Sequence, residues 1–133
     1  MKKIMLFVAL IAMAVVANAA DFTGTVTNVV MNGNAKNDVE NITFKVNDNV
    51  LTGNFKIITA HKLNLTAPLS FTTDTEFEGS GSGTVVMAII PIPFTCEITD
   101  GDMDDSTLTF KCVATTNVGM VCSFTFTGTK VSE

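Results

Sequence analysis

Residues 107 to 129 read Thr-Leu-Thr-Phe-Lys-Cys-Val-Ala-Thr-Thr-Asn-Val-Gly-Met-Val-Cys-Ser-Phe-Thr-Phe-Thr-Gly-Thr, and their alternation decides the fold. Leu108, Phe110, Cys112 and Ala114 share one phase of a period-two pattern, and Cys122, Phe124, Phe126 and Gly128 repeat it. Polar residues, mostly Thr, fill the other phase, so each stretch is a strand with one buried and one wet face. Asn117-Val118-Gly119 between them carries turn chemistry, which makes the pair a hairpin.

The same pattern extends toward the N-terminus in Ile42-Phe44-Val46, in Leu51-Phe55-Ile57 with Gly53 between, and in Ile92-Phe94-Cys96-Ile98. Turn residues punctuate it at Asn32-Gly33-Asn34, Asn47-Asp48-Asn49, Gly79-Ser80-Gly81-Ser82-Gly83 and Asp100-Gly101-Asp102. Strands are expected near 21 to 31, 39 to 47, 50 to 58, 62 to 66, 69 to 78, 83 to 90, 92 to 99, 106 to 115 and 120 to 130. Thr occurs 20 times, and helical periodicity is hard to find. The chain is therefore all-β, a single-domain antiparallel meander. Closing it into a roughly eight-stranded barrel removes the exposed edges, and a two-sheet sandwich is the alternative that strand spacing does not separate from it. Pro91 and Pro93 lack ladder donors, so the run from Met87 to Phe94 marks a corner or an edge. Its apolar residues read as a buried barrel corner in preference to a ligand mouth.

Met1-Lys2-Lys3, the 14-residue apolar run from Ile4 to Ala17 and the small-x-small Ala17-Asn18-Ala19 have the form of a secretory signal peptide over 1–19. The run falls short of the roughly 18 apolar residues of a membrane span. Residues 18 to 21 hold no cysteine for a lipid anchor. A soluble secreted or periplasmic domain over 20–133 is expected, with no transmembrane segment in the mature chain. It keeps six Lys, no Arg and 13 carboxylates, a net charge near −7. That balance argues against nucleic acid and against an anionic membrane surface, both of which need clustered cations.

Cys96, Cys112 and Cys122 remain after cleavage, and export permits a disulfide. Cys112 and Cys122 are symmetric about Asn117, the centre of a turn from Thr115 to Gly119, so they form the preferred pair and Cys96 the free thiol. Three reduced, buried thiols are the alternative.

No catalytic residue, metal site or cofactor is expected. His61 is the sole histidine and reads as a solvated strand start. No serine sits in a nucleophile elbow, and the glycine run lacks the lysine of a phosphate loop. Glu76 and Glu78 lie on one face of one strand, which suits a charged exterior better than a glycosidase pair. Asp100-Gly101-Asp102-Met103-Asp104-Asp105 begins like a calcium loop but has Asp105 at the glycine position and Lys111 at the closing glutamate, so a solvated acidic tip is expected. Asn41-Ile42-Thr43, Asn64-Leu65-Thr66 and Asp105-Ser106-Thr107 have the form of short glycosylation acceptors.

Four segments together carry a family resemblance: Phe22-Thr23-Gly24-Thr25-Val26, the run from Gly79 to Thr84, Ile90-Pro91-Ile92-Pro93, and Phe124-Thr125-Phe126-Thr127-Gly128-Thr129. Over most of residues 21 to 130 the chain resembles the calycin-like domain of small exported bacterial proteins. The resemblance implies a compact barrel related in architecture to lipocalins and avidins, in a family without an established biochemical function. The chain has no Trp, and so lacks the Gly-x-Trp signature of ordinary lipocalins. Two functions of different class follow as expectations: a non-enzymatic barrel that takes a small apolar ligand, or a structural or interaction module whose interior is filled and whose partner is another surface protein. The volume left inside the barrel discriminates between them.

Overall fold

The computed structural model describes residues 20–57, 61–87 and 89–131. The expected signal peptide lies outside the described residues. Nine strands follow one another: β1 (Ala20–Met31), β2 (Asn34–Ala35), β3 (Val39–Asn47), β4 (Val50–Ile57), β5 (His61–Phe71), β6 (Glu76–Met87), β7 (Ile90–Met103), β8 (Thr107–Thr116) and β9 (Val121–Lys130). β1 pairs with β3, each of β3 to β8 pairs with the next, and β9 returns to β1. The result is a closed antiparallel meander of eight strands, with β2 a short addition to the end of β1. A barrel and not a sandwich is what the chain builds.

The alternation read from the sequence is the inward phase of this barrel. Phe44 and Val46 on β3, Leu51 and Phe55 on β4, Phe110 and Cys112 on β8, and Phe124 and Phe126 on β9 are all buried. The hairpin of β8 and β9 turns one residue later than its symmetry suggested. Ala114 stands opposite Cys122 and Cys112 opposite Phe124, which centres the turn on Val118. At Asn32-Gly33 and Asp48-Asn49 both turn residues have positive φ, the geometry that matches hairpin turns to strand twist.

Three expectations fail, each for a local reason. Gly79-Ser80-Gly81-Ser82-Gly83 is not a turn but the middle of β6, with its glycines on the inward phase between Phe77 and Val85. A Cβ there would lie 2.7 Å from the Pro68 carbonyl oxygen at Gly79, 2.1 Å from that of Thr66 at Gly81, and 1.8 Å from that of Asn64 at Gly83. The β5 backbone occupies the space where side chains would stand, so glycine marks close approach here and not chain reversal. Strand β5 also runs unbroken through Pro68 to Phe71, where two strands, 62 to 66 and 69 to 78, were expected, and the reversal falls at Thr72 to Thr75. Finally, Asp100-Gly101-Asp102 lies inside β7. Asp100 has φ 52° at a register shift between Thr99 and Asp102, so its turn chemistry makes a bulge and the hairpin tip moves to 104–106.

Pro91 and Pro93 do sit at an edge. They pair with Val86 and Thr84 of β6, while β8 reaches only as far as Phe94. Asn117 N donates to the Pro93 oxygen at 3.2 Å, so that side of β7 faces the β8–β9 turn, where no ladder donor is needed.

Candidate functional site

The two ends of the barrel differ in chemistry. The upper rim carries the connections β1–β3, β4–β5, β6–β7 and β8–β9, and the lower rim carries the turns β3–β4, β5–β6 and β7–β8. Between them the interior is packed. Among the described residues eight phenylalanines are buried, and Phe44 meets Phe55, Phe110 and Phe126 edge-on at centroid distances of 5.4, 5.1 and 4.7 Å. Three inward glycines make room for rings: Cβ atoms at Gly53, Gly101 and Gly128 would fall 2.4, 2.3 and 2.5 Å from atoms of Phe44, Phe77 and Phe126. Aromatic rings thus cover the glycines, a packing that shields bare strand backbone. Toward the upper rim, among the described residues, an apolar cavity of about 20 Å³ is lined by Ile57, Leu63, Val85, Phe94 and Cys122. That is the room of a single water, far below a ligand pocket of about 300 Å³ or more.

The three cysteines lie in this core and are free thiols. Cys96 stands opposite Ala114 and Cys112 opposite Ile98, so Cys112 is two residues out of register with Cys96 on one side and with Cys122 on the other. Register therefore favours neither pair. Proximity does: the Cys96 and Cys112 thiols are near enough for a side-chain hydrogen bond, which lowers the pKa of Cys96 and, with burial, raises that of Cys112. Burial alone pushes Cys122 up to about 11. Cys112 and Cys122 thus stay protonated and unreactive once the barrel has closed.

The residues weighed for chemistry do not converge. His61 opens β5 half-buried, opposite Ile57, and Glu76 and Glu78 point outward from β6. Asp104 turns its carboxylate into its own loop: Oδ1 accepts from the amides of Ser106 and Thr107, both at 2.8 Å, and from their hydroxyls. Those bonds, the Ser106 amide first, hold its pKa below the ordinary carboxylate value. Asp100 instead pairs with Lys111 at 3.3 Å. The acidic run thus serves a bulge, an ion pair and a turn. Among the described residues no three His, Cys, Asp or Glu side chains cluster as metal ligands. Asp21 Oδ1 is buried without a hydrogen-bond partner, and we have no physical account of it.

The exterior offers broad, polar surfaces. A concavity of about 590 Å³ spans β6, β7 and β8 over Ser82, Thr84, Pro93, Thr95 and Asn117, and another of about 380 Å³ spans β3 to β5 over Thr43, Lys45, Thr52 and Asn64. Across β1 and β9, Thr23, Thr25 and Thr27 stand opposite Thr129, Thr127 and Thr125. Thr23 Oγ1 lies 2.8 Å from Thr43 Oγ1, knitting the array across a third strand. Hydroxyls at these positions suit a solvated strand face.

The upper rim is the exception. Ile89 is 90% exposed, Val118 65%, Ile90 62% and Val121 41%, four of the six large apolar side chains exposed in the described residues. Sequence reasoning took the run around Ile89 and Ile90 for buried corner, because apolar runs usually are. The loop instead projects past the end of β8. No family model, curated protein or solved structure matches the chain.

Proposed function

We propose that this is an exported, non-enzymatic calycin-like barrel that serves as a structural or interaction module, with its partner contacts on the outside. The observation that carries this reading is the packed interior, where the apolar cavity at the upper end, among the described residues, holds about 20 Å³. Rings that interlock edge-on over glycines resist opening to admit a guest, since each displaced contact has no substitute. His61 opens β5 at the upper rim while Glu76, Glu78 and Asp102 lie toward the lower one, and this separation supports the non-enzymatic part, because acid–base or nucleophilic catalysis needs its groups gathered around one reacting atom.

The test is a thermal-shift screen with small apolar ligands, fatty acids and retinoids among them. A ligand bound at one hundred times its dissociation constant would stabilise the barrel by about 2.7 kcal/mol. For a domain of this size that raises Tm by roughly 10 °C. The proposal expects no such shift, and a saturable shift of that size would overturn it.

A further inference from the structure

We propose that the upper-rim corner formed by the ends of β4, β5, β6 and β7 docks on an anionic phospholipid surface, Ile89 and Ile90 entering the acyl boundary while Lys56 and Lys62 hold headgroup phosphates. The inference rests on the reading of the protein as an interaction module and names its partner.

Lys56 and Lys62 stand directly opposite one another on neighbouring strands, both exposed on the outer face. Neither makes an ion pair among the described residues. Like charges placed opposite in a ladder repel, so the pair is an uncompensated cost to the barrel that a bound anion would relieve. The outer row continues from Lys62 to Val86 and from Val86 to Pro91. With strands about 4.8 Å apart, Lys62 lies about 10 Å and Lys56 about 14 Å from Pro91, whose neighbours Ile90 and Ile89 are among the most exposed apolar residues of the described chain. One patch combines apolar tips with adjacent cations, the combination that binds anionic interfaces.

Net charge opposes this at first sight, but its distribution does not. Nine of the twelve carboxylates in the described residues lie in the half of the barrel toward the lower rim, against two, Asp38 and Glu40, at the upper end. Apart from Asp21, in register with Thr52 and about 13 Å along β4 from Lys56, the lower acids and the mid-barrel Glu97 stand about 20 Å or more from the patch along strands rising about 3.3 Å per residue, beyond two Debye lengths at physiological salt. A second copy of the chain fits less well, since joining the same patches would bring four uncompensated lysines together.

The experiment is co-sedimentation of the mature protein with phosphatidylcholine vesicles and with mixed phosphatidylcholine–phosphatidylglycerol vesicles. Binding to the mixed vesicles alone, weakened by salt, is expected. Replacing both lysines (K56Q, K62Q) should weaken it roughly thirty-fold, at about 1 kcal/mol for each lysine near the surface. The same double variant should melt about 1–4 °C higher, because the cross-strand repulsion is gone. Opposite signs in the two readouts separate docking from a structural role. Ile89→Asp should reduce binding roughly ten-fold or more with an unchanged circular dichroism spectrum. Absence of binding to the mixed vesicles, unaltered binding by either variant, full competition by inorganic phosphate, or a dimer that I89D dissociates would each overturn the proposal. Those outcomes leave the packed interior untouched, whereas a ligand-induced thermal shift would overturn the module reading without altering vesicle binding.

Discussion

Substituting Gly53 by alanine should change sign in its effect on stability, according to what occupies position 44. Phe44 is fully buried and lies directly across from Gly53 in the β3–β4 register. An alanine Cβ at 53 would fall 2.4 Å from Phe44 Cε1 and 2.6 Å from Cδ1. The ring has little freedom to retreat, because Phe55, Phe110 and Phe126 close on it from three sides. G53A alone is then an overpacking change that costs about 1–3 kcal/mol. F44A alone removes the ring and should cost about 3–5 kcal/mol. In the F44A background the new methyl has an empty space to enter, and alanine regains the roughly 0.5–1 kcal/mol that glycine loses to chain entropy in a strand. G53A should therefore stabilise that background, a coupling of about 2 kcal/mol. Urea unfolding of the four proteins, followed by circular dichroism, measures it. Equal costs of G53A in both backgrounds would refute the ring-over-glycine account of the packed interior.

The other predictions concern the strands, the acidic tip and the thiols. Gly83→Ala should cost more than about 3 kcal/mol or prevent soluble expression, since its Cβ meets the Asn64 carbonyl oxygen, whereas Gly33→Ala, with open space but φ +84°, should cost about 1–2 kcal/mol. Asp104→Asn should destabilise the barrel at neutral pH. Because the folded carboxylate titrates below its unfolded value, the stability it confers is present above the unfolded pKa and disappears as pH falls through the folded one, so wild type and variant should converge in acid melts. Oxidative folding should join Cys112 to Cys96, which is near enough for a side-chain hydrogen bond, in preference to Cys122. Trypsin cuts after Lys62, Lys111 and Lys130, so the first pairing links two peptides under non-reducing conditions and the second gives a loop within residues 112–130. A loop alone would restore the pairing read from the hairpin.

Why some of this was legible in the sequence and some was not follows from what each signal reports. The alternation of Leu108 to Ala114 and of Cys122 to Gly128 reports which side of a strand is buried, a property of the strand itself, and it placed the inward phase correctly. Barrel closure followed from counting hairpins and from the cost of open edges. The glycines misled because a missing side chain has two uses. At Gly33 it permits a positive φ, while at Gly79, Gly81 and Gly83 it admits a neighbouring backbone, and only the fold tells these apart. Asp100 misled similarly, its positive φ serving a bulge within β7. The rim patch was invisible for a different reason: Lys56, Lys62, Ile89 and Ile90 belong to three strands and a loop, and net charge averages away the separation of cations from acids that the barrel creates.

The most direct test of the packed barrel is native mass spectrometry of the protein purified without detergent from its own host. The account predicts the mass of the polypeptide alone, with no retained apolar molecule. A stoichiometric small apolar ligand, held through collisional activation and released only on unfolding, would contradict it.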